Sequence, residues 1–264
     1  MISVTSGQLN AWLALFVWPF VRILGLIATE PILGNTSIPA RVKIGLALLI
    51  TLLLAPTLDT PPAVEPGSAA GILILMQQLV IGIAMGLAIR VVFTATEMAG
   101  HVMGLQMGLG FATFFDPQNA AQVPLVAEFM GLFATLVFLS LNGHLMVIAA
   151  LSESFHTLPI SAHPFAAGGW GVLAQWGGEI FLAGLLIALP VVGALLITNL
   201  AIGIMTRAAP QLNIFAVGFP LTLTAGFVVL YLAMPYFMPV LGRIWSDGLA
   251  MAMQVLQSAR PVMP

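Results

Sequence analysis

Glu97-Met-Ala-Gly-His-Val-Met-Gly-Leu-Gln-Met-Gly-Leu-Gly-Phe-Ala-Thr-Phe-Phe-Asp116-Pro117, continuing from Gln118 to Pro124, is the stretch around which the chain is organised. Gly100, Gly104 and Gly108 recur every four residues, so a helix through them presents one bare face. Such a face admits a second backbone, as small residues do in membrane helix packing. Gly110 interrupts the period, and Phe111, Phe114 and Phe115 follow it. Asp116-Pro117 closes the run, because proline disfavours helical geometry in the residue before it. The spacing predicts a helix delivering an apolar, aromatic loop to one place, an obstruction in a conduit rather than a catalytic element.

Composition sets the solvent. Of 264 residues, 60% are hydrophobic and only 6% charged, whereas a soluble domain carries about 25% charged residues. This chain cannot cover a soluble surface, and is expected to be an all-α, polytopic membrane protein. A net charge of −2 gives nucleic acid no purchase. The absence of cysteine excludes disulfides and thiolate metal sites. No cleavable signal peptide is expected, since the first basic residue is Arg22, inside an apolar run.

Outward from the central stretch, six apolar runs emerge at roughly 20 residues per bilayer crossing. They cover 9–28, 44–55, 69–103, 125–151, 180–205 and 214–232. The second is short, so unless it starts before Arg41 it should be tilted, re-entrant or buried against protein. Pro190 should kink the fifth, and Pro235 and Pro239 should break the chain before an amphipathic tail. The expected division is 1–175 with the central loop at 104–123, then a helical hairpin at 176–235, then a tail at 236–264. Arg41, Lys43 and Arg207 argue for a cytoplasmic first loop and hairpin turn. Alternation then leaves Arg243 and Arg260 outside, against the same rule, unless the chain turns back at Pro235 to Pro239.

Ionisable residues inside apolar runs cost at least about 2.5 kcal/mol at the bilayer centre. Arg22, Arg90, Glu97, Glu128 and Glu179 are candidates for buried ion pairs, subunit contacts or an aqueous path, with snorkelling at the membrane edge as the alternative. Glu97 and His101 share a helix face, which suits a proton relay or, more simply, a structural hydrogen bond. No third metal ligand accompanies them, and no metal or other cofactor is expected. Catalysis is not expected either: the three aspartates Asp59, Asp116 and Asp247 lie in or beside loops, and no paired-histidine metal motif or phosphate loop is present. The methionines Met98, Met103 and Met107 ahead of the phenylalanines suit a seal around a variable object, or ordinary packing. Burying a phenylalanine is worth about 1.5–3 kcal/mol, so three rings in a dry constriction hold it shut by roughly 5–9 kcal/mol before the loop's ordering cost.

Four segments carry a resemblance: 40–48 (ARVKIGLAL), 97–117, 141–144 (LNGH) and 207–220 (RAAPQLNIFAVGFP). They resemble the FliR family of flagellar biosynthesis proteins and its SctT/SpaR-like counterparts in virulence type III secretion, over essentially the whole chain. The resemblance implies about six long kinked helices, a FliP-like part followed by a FliQ-like helical hairpin. It implies a subunit of the export gate in the bacterial inner membrane, at the flagellar basal body, passing unfolded flagellar proteins and powered by other components. Partners implied are FliP-like and FliQ-like gate subunits, an FlhB-like substrate-switching protein, secreted proteins in transit and the lipid bilayer.

The same resemblance places a pore plug at Met107, Gly108, Leu109, Gly110, Phe111, Phe114, Phe115, Asp116 and Pro117. It puts Arg207, Pro210, Gln211 and Asn213 at the hairpin turn. It also implies that many apolar runs face protein rather than lipid, which would account for the short second run. A small-solute secondary transporter is the rival reading, predicting inverted repeats and a polar midplane pocket that the sequence does not display. An intramembrane enzyme would bring Glu97, His101 and Glu128 together around a pocket, and a purely structural subunit would leave the phenylalanine loop off any pore axis.

Overall fold

Long apolar runs must satisfy their own backbone polar groups, and the helix does this within one segment. A computed structural model of the chain describes residues 6–62, 64–111, 124–166, 168–211 and 214–260. Among them the regular structure is helical, without strands. The helices are α1 (Ser6–Thr29), α2 (Ala40–Leu54), α3 (Ala69–Gln106), α4 (Leu125–Ser140), α5 (Gly143–Thr157), α6 (Gly168–Gly177), α7 (Glu179–Ala208) and α8 (Ile214–Ser258). Five segments are long and apolar enough to cross a membrane, or six if α4 and α5 together make one span.

Three boundaries differ from the sequence expectation, each for a physical reason. The second run does begin before Arg41, at Ala40, and with a short 3-10 turn at Ala55–Thr57 it makes an 18-residue candidate span. The fourth run is two helices: Asn142 adopts φ 56°, a left-handed conformation that stops α4 and lets Gly143 start α5. The expected break at Pro235 and Pro239 is absent, and α8 runs continuously through Pro220, Pro235 and Pro239. In apolar surroundings neighbouring helices and local adjustments absorb the donor that proline lacks. Pro190 likewise lies inside an unbroken α7.

The chain divides into two compact units: Met1–Val91 with Asn142–Gly177 and Trp245–Pro264, and Val92–Leu141 with Gly178–Ile244. In the first, α1 lies directly on α3. A Cβ at Gly25 would sit 2.7 Å from the Leu79 carbonyl oxygen, and one at Gly82 would collide with the Arg22 carbonyl. Gly86 faces Thr29 in the same way. In the same unit Trp18, Ile23, Ile27, Ile74, Met85 and Ile89 are all fully buried. The Trp176 indole N–H donates to the Ala88 carbonyl at 2.8 Å, fastening α6 to α3.

Arg22 is also fully buried in this unit. Its Nε donates to Gln78 Oε1 at 2.8 Å, Nη1 to Ser154 O and Oγ at 2.9 and 3.2 Å, and Nη2 to Leu158 O at 2.8 Å. Its Cζ lies 4.2 Å from the centre of the Phe155 ring. None of these partners is a carboxylate. The charge rests on the carbonyl end of α5, where the helix dipole favours a cation, and on an aromatic face. Arg260 adds a second guanidinium to the same end by donating to Thr157 O, and Ala166 N donates to Ala259 O at 2.9 Å. Two of the seven basic residues of the chain thus serve one helix terminus.

Just beyond α1, Glu30 turns its carboxylate back into the chain. Oε2 accepts from the Ile32 and Leu33 amides at 3.0 and 2.6 Å, and the residue is 3% exposed. Burial raises its pKa above the ordinary value of 4.5, opposed by the bonds from Leu33 and Ile32.

Replacing Arg22 by Met deprives Gln78 Oε1 and the Leu158 carbonyl of their donor, at about 1–3 kcal/mol for each buried group. Arg22→Lys keeps the charge but loses the fork that reaches both sides. Thermal unfolding of the purified protein in detergent is expected to rank wild type above Arg22→Lys above Arg22→Met. For Glu30 the raised pKa means that the folded state holds its proton longer than the unfolded state. Stability therefore falls as pH rises from about 4.5 through the raised folded-state value. The Tm of Glu30→Gln relative to wild type is expected to increase over that window, and a flat difference would refute the linkage.

Candidate functional site

The second unit builds the approach to the central loop. α3 and α4 run antiparallel, with Phe93 edge-on to Phe138 at 5.8 Å, Glu97 lying over Gly131, and Gly100 against Ala127. A Cβ at Gly100 would fall on the Ala127 Cα and 2.7 Å from the Val126 carbonyl oxygen, so this position requires glycine. One turn later the Gly104 Cβ position lies 3.7 Å from Val126 Cβ. The bare helix face expected from the sequence is therefore real at Gly100 and Gly104, and its occupant is the start of α4. The same unit brings α7 onto α3, the Gly184 Cβ position lying 2.9 Å from the Ala95 carbonyl oxygen and 3.1 Å from the Met98 side chain.

Gly108 is not the third member of that face. α3 ends at Gln106, and Gly108 takes φ 84°, with its amide donating to Leu105 O at 3.0 Å. It is a left-handed helix stop, which glycine makes without a Cβ penalty. The helix thus ends four residues before Gly110, where the period breaks in the sequence. Met107, immediately before the stop, is fully buried. It is held by α8: Gly226 opens a space that the Met107 side chain fills, and Thr222 Oγ1 donates to the Met107 carbonyl at 3.4 Å.

Beyond the stop, Leu109–Phe111 form one 3-10 turn, with Leu109 and Gly110 partly exposed. Only the backbone of Phe111 is described. Phe114, Phe115, Asp116 and Pro117 lie outside the described residues. The chain re-enters at Pro124, ahead of α4. Both ends of the loop are consequently fixed, one by Met107 under α8 and the other by Val126 and Ala127 against α3. Thr222 and Gly226 were invisible to sequence reasoning, because neither stands out within an apolar helix more than a hundred residues away.

Most of the charged candidates fall on the surface of this chain, with Glu179 half-buried. Arg90, Glu97, Glu128 and Arg207 are all exposed, as are His101 and the turn residues Pro210 and Gln211, while Asn213 lies outside the described residues. The intramembrane charge that is buried is Arg22. Among the described residues no group of three or more His, Asp or Glu side chains is placed to hold a metal.

A family model described as bacterial export proteins, family 1, matches residues 13–248. The chain belongs to this family. Flagellar biosynthetic protein FliR of Pectobacterium carotovorum subsp. carotovorum is 47% identical over 249 residues, covering 94% of each chain. FliR of Escherichia coli K12 is 45% identical over 247 residues, again 94% of each. FliR of Bacillus subtilis is 32% identical over 235 residues, 88% of this chain and 90% of that one. The FliR resemblance expected from four short segments therefore extends across nearly the whole export protein.

Gly108→Ala is expected to destabilise the protein by about 1–2 kcal/mol, the cost of a left-handed conformation for a residue with a Cβ. Gly110→Ala should be close to neutral, since among the described residues its new methyl meets only the exposed, flexible Leu105 side chain at 3.2 Å. Unfolding of the two variants in parallel checks the difference.

Proposed function

We propose that this chain is a subunit of the flagellar type III protein export gate, in which the segment from Met107 to Pro117 obstructs a protein-conducting pore. Membership of the export family, with FliR relatives matched over nearly their full length, supports the flagellar assignment. It also favours export of protein over small-solute transport. The observation that carries the plug reading is the anchoring of the loop at both ends, Met107 under Gly226 and Ala127 on Gly100. A barrier that must yield to a passing chain and then reseal needs fixed hinges and a deformable middle. The segment between these anchors holds three phenylalanines and has no charge except Asp116.

In this reading the chain performs no catalytic turnover. It assembles with FliP-like and FliQ-like subunits and meets an FlhB-like protein in the inner membrane at the flagellar base. Residues 1–175 act as the FliP-like part and 176–235 as the FliQ-like hairpin, with Arg207, Pro210, Gln211 and Asn213 at its turn. The exposed Arg90, Glu97 and Glu128 serve as contacts to other subunits. Thr222 and Gly226 act through Met107, as the positioning residues of the plug.

The test is deletion of residues 110–115 in the fully assembled gate, followed by measurement of ion flux across membranes containing it. A clear rise in resting conductance, with assembly intact, is the expected result. Conductance equal to that of wild type would rule the plug out while leaving membership of the gate untouched.

A further inference from the structure

We infer that α2 lies against the lipid bilayer, with its aliphatic face on the acyl chains and Arg41 at the headgroup phosphates, and that it is not covered by another protein subunit. Of the five candidate spans it has the smallest buried share, 17% against 28–50% for the others. Val42, Ile44, Leu48, Leu49, Leu52 and Leu53 are all exposed, Leu53 at 75%. At 100° per residue these positions cover about half of the helix circumference. Between Ile44 and Leu53 that half carries no polar side chain. Thr51, the one polar residue in the interval, is buried and donates back to Ala47 O at 2.6 Å.

Charge and length point to the same occupant. Arg41 is exposed and falls on the aliphatic arc, at its N-terminal end. Lys43 falls on the opposite side, and its ammonium is occupied by the Gly34 carbonyl at 2.8 Å. Only one of the two cations therefore points out along the apolar face, in the position from which an arginine reaches phosphate. The 18-residue span rises about 27 Å, close to the thickness of a bilayer's hydrocarbon core. From Phe181 to Ile197 α7 shares the aliphatic character of α2, whereas some exposed faces elsewhere carry polar groups: α3 exposes Arg90, Glu97 and His101, and α4 exposes Glu128. Such groups are costly against hydrocarbon and suit protein or water, whereas the α2 face offers acyl chains nothing to desolvate. In this inference the short second run, which starts before Arg41, is a lipid-facing element, whereas the resemblance alone implied a protein-facing one. This inference does not depend on the plug.

The chain has no cysteine, so single labels are unambiguous. Spin labels at Leu49→Cys and Leu53→Cys, in the full chain within phosphatidylglycerol-containing nanodiscs and again after assembly with the other gate subunits, report the surroundings directly. Oxygen collision rates several-fold above those of a water-soluble nickel chelate, before and after assembly, are expected. Asp59→Cys in the following linker should show the reverse. Low accessibility to both reagents in the assembled gate would mean that polypeptide covers the face, and high nickel accessibility would mean water; either overturns the inference. For the headgroup contact, phosphatidylglycerol should raise the Tm of wild type more than that of Arg41→Gln. Equal shifts would remove Arg41 from the contact.

Discussion

Where α1 crosses α3, and again where α3 meets α4, one helix backbone rests on another with no side chain between them. Gly25 and Gly82 make the first contact and Gly100 the second. In hydrocarbon, apolar side chains gain little by leaving lipid for protein, so association depends on close packing and on polar groups satisfied between helices. Arg22 supplies the polar part. The close approach at Gly82 falls on Arg22's own carbonyl, while its guanidinium binds α3 and the end of α5. Packing and polar satisfaction in this unit are therefore consequences of the same short segment of α1.

The sequence announced this constraint unevenly. The glycine pair Gly100/Gly104 was legible, because a four-residue spacing of bare positions has a direct meaning on a helix. Gly108 obeyed the same spacing yet serves another purpose, since the period alone does not say where the helix stops. The Asn142-Gly143 dipeptide was a local signal for a break in the fourth run, masked by the apolar residues on either side. Pro235 and Pro239 misled in the opposite direction, because proline stops helices through a lost donor and a steric clash that tertiary packing can absorb. Arg22 stood out as a candidate for burial, but its partners were beyond reach, lying 56, 132 and 136 residues away.

The same division runs through the candidate site. The loop and its aromatic residues declared themselves by composition, and the family relation followed from the motif. The anchoring did not, because Met107 is one of fourteen methionines and its contacts Thr222 and Gly226 belong to a helix distant in sequence. A loop acquires mechanical definition from what grips its ends, and that information resides in tertiary contacts rather than in the loop itself.

The left-handed Asn142 has one more implication. A helix that halts at Ser140 and restarts at Gly143 leaves main-chain dipoles uncompensated at the junction, as any helix end does. Hydrocarbon offers such dipoles no solvation, so this joint is excluded from direct exposure to acyl tails. Residues 141–143 must be bathed in water, seated among headgroups or shielded by polypeptide. Unless polypeptide shields it, that restriction keeps this joint out of the hydrocarbon layer, independently of how many crossings the chain makes.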